Sequence, residues 1–254
     1  MNTLTELLAR KKEKLLMTHM IVGFPDVDTS AHVADDMIRA GADILEMQIP
    51  FSDPMADGPT IAAACQIAVE HAPSPVDTFE MAHVLAHRHP KTPLVVMCYG
   101  NSVFRYGIES FIRDAAANHI AGLIIPDIPL DTEEGTLIVA AARKHDVHII
   151  PVISPGVTKA RLKKILPLGS GFVYCTSRQG TTGKQASLDG VKKYLEIVRT
   201  VTKLPIGIGF GISNHDDVAS VHSFAPIAIV GSVFVKLIQN NEAAQVHAHV
   251  QSMK

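Results

Sequence analysis

Glu46 stands in the run Ile44-Leu45-Glu46-Met47-Gln48-Ile49, and Asp53 and Asp57 follow on the loop Pro50 to Gly58. The run reads as a strand. Alternation then puts Leu45, Met47 and Ile49 on one face and Ile44, Glu46 and Gln48 on the other. An apolar face packs against helices. The opposite face carries a carboxylate and an amide into an enclosed place, which is costly for a charge without a partner or a purpose. Enclosure disfavours an ionised carboxylate, as a general acid requires, and such groups typically contribute about 10²–10⁴ in rate. Asp57, on a more hydrated loop, is expected to stay ionised, and two carboxylates in unlike surroundings can take unlike roles. Each also has a structural alternative: a buried ion pair for Glu46, and a turn or helix cap for Asp57 in Asp57-Gly58-Pro59.

Two glycine motifs offer a second kind of chemistry. Gly209-Phe210-Gly211-Ile212-Ser213 and Gly231-Ser232 each follow a short apolar run. Glycines let backbone N–H groups approach an anion closely, and Ser232 adds a hydroxyl. The polar stretch Ser177 to Ser187, with Gly180 and Gly183, suits a lid as well as an ordinary surface loop. His83 and His87 are four apart with His89 nearby. No Glu completes a His-Glu-x-x-His pattern, so they read as a solvated helix face and no metal site is expected.

These groups need elements to hold them. Residues 2–15 read as a short amphipathic helix and His19 to Gly23 as strand one, with Asp28 or Thr29 capping a helix to Arg39 that Gly41 ends. Strand two spans 43–49. Helices follow at about 59–71 and 76–88, the first opened by Gly58-Pro59. Further strands are expected at Leu94–Cys98, Gly122–Ile125, Val147–Ile153, Gly171–Thr176, Pro205–Gly209 and Ile227–Val230. Helices are expected at Ile108–Asn118, Thr132–His145, Lys159–Leu166, Leu188–Thr202 and Asn214–His222, with a last one from Ser232. Short apolar strands alternating with helices require parallel pairing through right-handed crossovers. Eight such units predict an α/β fold, a (β/α)8 TIM barrel with a short N-terminal helix and an extra helix after strand two. The alternative is an open doubly wound sheet. In a barrel, Glu46 and Asp57 fall at the C-terminal end of the strands, where ligands bind, and the loops after strands seven and eight often hold a phosphate.

Length agrees: 254 residues match the size of one barrel, about 250, and 1–254 reads as a single domain. With 47% hydrophobic residues the core is large, and a formal charge of −2 gives no support to nucleic-acid or anionic-membrane binding. Cys65, Cys98 and Cys175 show no Cys-x-x-Cys spacing and read as buried thiols in a reducing cytosol. No apolar run approaches about 18 residues, so the chain reads as soluble and cytoplasmic.

The stretch Leu45-Glu46-x-x-Ile49-Pro50-Phe51-Ser52-Asp53-Pro54-x-Ala56-Asp57-Gly58-Pro59 resembles the signature of the tryptophan synthase alpha subunit family, and the similarity continues in chain order almost to the C-terminus. Thr176 to Gly183 resembles that family's mobile loop. The resemblance implies a lyase that cleaves indole-3-glycerol phosphate to indole and glyceraldehyde 3-phosphate by a retro-aldol reaction, in tryptophan biosynthesis. It implies Glu46 as the acid/base and Asp57 as acceptor for the indole N–H. Tyr99, Tyr174, Thr182, Gly183 and Phe210 would contact substrate, and Gly211, Gly231 and Ser232 would hold its phosphate. Each tyrosine could equally be a core aromatic. No metal or organic cofactor is implied for this chain. A pyridoxal-phosphate beta subunit is implied as partner in an alpha2-beta2 heterotetramer, meeting Pro50 to Asp57 and Asn101.

Strand one departs from the family pattern Pro-Phe/Tyr-x-Thr-x-Gly. Here it reads Thr18-His19-Met20-Ile21-Val22-Gly23, and Gln48 stands where the family carries a small glycine. His19, Ile21, Glu46 and Gln48 are expected to face one barrel sector, with Gln48 or His19 replacing the lost threonine as a polar partner of Asp57. Neutral drift is one account of these changes. Others are a remodelled pocket in a stand-alone phosphate-substrate enzyme, or a weakened site in a non-catalytic activator of a beta subunit.

Overall fold

The computed structural model describes residues 1–11, 14–71, 74–176, 188–209 and 211–254. Its strands are β1 (Leu15–Ile21), β2 (Ile44–Gln48), β3 (Leu94–Met97), β4 (Ile120–Ile124), β5 (His148–Ile149 and Val152–Ile153), β6 (Val173–Thr176), β7 (Ile206–Gly209) and β8 (Ile227–Val230). Every pairing between them is parallel. β5 is broken around Pro151, which has no N–H to give a ladder. Its first piece pairs with β4 and its second with β6, and these two pieces are the ends of the hydrogen-bonded strand order. Across the break Ile150 N–H donates to Leu123 O at 2.9 Å and Tyr174 N–H donates to Pro151 O at 3.0 Å. One strand therefore joins both edges and closes the predicted barrel.

Helices α1 (Thr3–Arg10), α2 (Val27–Arg39), α3 (Pro59–Glu70), α4 (Pro75–Arg88), α5 (Gly100–Tyr106) and α6 (Ile108–Ala117) surround the first half. The second half carries α7 (Glu133–Lys144), α8 (Lys159–Ile165), α9 (Leu188–Arg199), α10 (His215–His222), α11 (Ser232–Gln239) and α12 (Val246–Ser252). Local chemistry sets many of their starts. Gly58 precedes Pro59 at the first position of α3, as expected, and α4 opens on a Ser74–Asp77 capping box. The cap of α2 is Asp26, not Asp28 or Thr29: its Oδ1 accepts from Thr29 N–H at 2.7 Å. Helix α5 was not expected. It ends at Gly107, whose φ of +93° breaks the helical path before α6.

Strand one begins four residues earlier than the expected His19, because Leu15 to Thr18 pair with Ile227 to Val230 of β8. The N-terminal helix correspondingly stops at Arg10 rather than continuing to residue 15. Leu4 and Leu7 on that helix join Leu15, Met17, Ile44, Val95, Phe172 and Ile227 in the cluster that fills the barrel. Asn2 fastens the helix there, its Nδ2 donating to Ala121 O and Asp146 O at 2.8 and 2.7 Å. The larger apolar cluster lies between sheet and helices and includes Leu45, Met47 and Ile49, as alternation predicts. Ile21 also packs against this cluster, while its register with Gln48 and its spacing from His19 put it on the strand face of those residues.

Candidate active site

Toward the C-terminal ends of β1 and β2 the barrel interior changes from apolar to polar. The β1–β2 register sets His19 beside Glu46 and Ile21 beside Gln48. His19, Glu46 and Gln48 are all buried. His19 Nδ1 lies 3.4 Å from Glu46 Oε2. Burial works against a charge on His19, but the carboxylates of Glu46 and Asp57 and hydrogen bonding to Glu46 and Gln48 outweigh it and raise its pKa above the usual histidine value.

Asp57 is held from two sides. Gln48 Nε2 donates to its Oδ2 at 2.7 Å and Tyr99 Oη donates to the same oxygen at 2.9 Å. Tyr99 Oη in turn accepts from Ala56 N–H at 3.0 Å, and its ring stacks on Phe51 with centroids 5.1 Å apart. The expectation of a well-hydrated Asp57 is corrected here, since the residue is partly buried. Burial pushes its pKa up, opposed by His19, Gln48 and Tyr99. Gln48 fills the polar role missing from strand one, since its amide reaches the loop from the strand directly beneath it.

A cavity of about 540 Å³ opens over these groups. His19, Glu46 and Asp57 line one part, and Tyr174, Gly211, Gly231 and Ser232 also line it. Tyr99 is not among the described lining residues: it sits beneath Asp57, 2% exposed, and acts on that carboxylate. Tyr174 Oη would stand 2.7 Å from a Cβ at Gly209, so β7 can approach it only as glycine. A Cβ at Gly231 would lie 3.1 Å from His19, a tight contact that a small shift of the imidazole would have to relieve. Gly211 has φ +48°. Thr182, Gly183 and Phe210, with most of the expected lid, lie outside the described residues.

Lys236 also lines the cavity and was not singled out from the sequence. The signal was available: on a helix beginning at Ser232, position 236 is one turn further along the same face. The three cysteines are buried thiols, as expected, and burial pushes Cys65 and Cys175 up to about 12. Among the described residues no helix is long and apolar enough to cross a membrane.

A family model described as "Tryptophan synthase alpha chain" matches residues 5–254. The chain belongs to the tryptophan synthase alpha chain family. The tryptophan synthase alpha chain of Syntrophotalea carbinolica is 38% identical, covering 96% of both chains. That of Methanosarcina acetivorans is 42% identical, covering 91% of this chain and 84% of its own. Among solved structures, a Mycobacterium tuberculosis tryptophan synthase superposes with a TM-score of 0.88 at 30% identity, covering 99% of this chain and 95% of that one. Tryptophan synthase alpha chains are TIM-barrel lyases of tryptophan biosynthesis. They cleave indole-3-glycerol phosphate without a cofactor of their own, pyridoxal phosphate residing in the beta subunit.

Proposed function

We propose that the 540 Å³ cavity binds indole-3-glycerol phosphate, with Glu46 as the acid/base and Asp57 as the partner carboxylate. The observation that carries this reading is the presence in one cavity of two carboxylates, Glu46 and Asp57, together with Gly211, Gly231 and Ser232. Glu46 delivers a proton to indole C3. The glyceryl hydroxyl gives its proton to the Glu46 carboxylate so formed, its oxygen forms the new carbonyl, and the carbon–carbon bond electrons pass to the departing indole, now protonated at C3. Asp57 accepts a hydrogen bond from the indole N–H as the ring becomes positive, the moment at which a positioned carboxylate helps most. Gln48 and Tyr99 hold Asp57 in place for that contact, and His19 Nδ1 lies 3.4 Å from the Glu46 carboxylate.

At the other end, Gly211, Gly231 and the Ser232 hydroxyl hold the phosphate, the N-terminus of α11 favours its negative charge, and Lys236 adds a cation. Tyr174 contacts the substrate body, and the family resemblance adds Thr182, Gly183 and Phe210 as further substrate contacts. Residues 1–254 act as one domain. The partner is a beta subunit in an alpha2-beta2 complex in the cytoplasm, docking over Pro50 to Asp57 and Asn101. The reading as a non-catalytic activator is not favoured, because both carboxylates remain in place. Indole release from indole-3-glycerol phosphate, assayed with and without the beta subunit, tests the proposal. No cleavage in either condition would remove it.

A further inference from the structure

His83 and His87 project from one face of α4, four residues apart. A third imidazole joins them from elsewhere in the chain. His119 lies in the turn between α6 and β4, and the ring centroids are 4.3 Å (His83–His87), 5.7 Å (His83–His119) and 5.3 Å (His87–His119) apart. One ring nitrogen from each can be chosen so that all three lie within 4.8 Å of one another. An ion held tetrahedrally at about 2.0–2.1 Å from each nitrogen needs them roughly 3.4 Å apart, a small rotation for exposed side chains.

Two details favour ligation over chance crowding. His87 Nδ1 lies 2.8 Å from the His83 carbonyl oxygen. As donor in that bond Nδ1 keeps its hydrogen, and Nε2 is left with the free lone pair. Metal-bound histidines are commonly oriented in this way. His119 follows the α6 cap Asn118 at φ +64°, a position where glycine or asparagine is the usual choice. Underneath, Phe79 of α4 meets Phe111 of α6 edge to face at 5.1 Å, so the two helices that bring the imidazoles together are packed on each other.

We propose that His83, His87 and His119 form a surface site for a late first-row divalent ion such as Zn²⁺ or Ni²⁺, with solvent completing its coordination. The site adjoins Ile120, where β4 begins, and so lies at the barrel face opposite the cavity. Its effect there is to tie α4 to the α6–β4 turn, which bears on stability rather than on cleavage.

Calorimetric titration of NiCl2 and ZnCl2 into the full, tag-free chain tests this, with His87→Gln and His119→Gly beside it. The glycine suits the positive φ, so it removes the imidazole without straining the turn. The expected result is one site per chain, weakened at least tenfold in each variant. A rise in Tm with saturating ion in the parent should be lost in both variants. A smaller loss of affinity in either variant, or a parent that binds neither ion, overturns the proposal, the remaining histidines then accounting for any uptake.

Discussion

Gln48 Nε2 reaches from the end of β2 to Asp57 Oδ2 at 2.7 Å, so the strand that carries the proposed acid also fixes the proposed acceptor carboxylate. Losing that bond should cost activity while leaving the fold. Gln48→Leu keeps most of the volume and removes the amide. A hydrogen bond to a charged group is worth about 1.5–3 kcal/mol, so kcat/KM should fall roughly tenfold to hundredfold. Unchanged kinetics would show that Tyr99 alone suffices.

Glu46→Gln keeps shape but cannot exchange the proton. Cleavage should drop by about 10²–10⁴ with the circular dichroism spectrum unaltered. Activity within about tenfold of the parent rules out an acid/base role for Glu46.

The raised pKa of His19 has a definite sign in stability. A histidine that holds its proton more tightly when folded contributes stability that is complete below its unfolded value, about 6.5, and lost as pH rises through the folded value. The unfolding free energy of the parent minus that of His19→Phe should therefore be larger at pH 6 than at pH 9, as read from urea denaturation. A difference independent of pH would mean that folding leaves the His19 pKa unchanged, and one that grows with pH that folding lowers it.

At the phosphate end, Gly211→Val places a branched side chain at φ +48° in the cavity lining. Calorimetric titration with glycerol phosphate should show much weaker binding than in the parent. Equal affinity, with the fold confirmed, would move the phosphate elsewhere.

Lys236→Gln should weaken the same ligand more gently, about twofold to fivefold, because an exposed cation typically contributes less than about 1 kcal/mol. The loss should shrink further at high salt. A salt-independent effect would argue for packing instead of charge.

Much of the barrel was legible along the chain because its signals are local. Alternation along 44–49 turned Glu46 inward, Gly58-Pro59 opened α3, and eight apolar runs separated by helices required parallel pairing. The glycines at 211 and 231 fell at the mouth because chain order alone puts them after the seventh and eighth strands. What tertiary structure decided was which distant residues meet. Strand one began at Leu15 because β8 offered it partners, a pairing that no local period encodes. His19 came to face Glu46 through a strand register in which a one-residue slip would have turned it outward. Asp57 looked like a hydrated turn residue until Gln48 and Tyr99 enclosed it. Spacing along the chain suggested His89 as the neighbour of His83 and His87, yet His89 Nε2 is 2.8 Å from Asp35 Oδ1 and His119 takes that place. Periodicity states which face a side chain takes; only packing between elements far apart in sequence brings two such faces together.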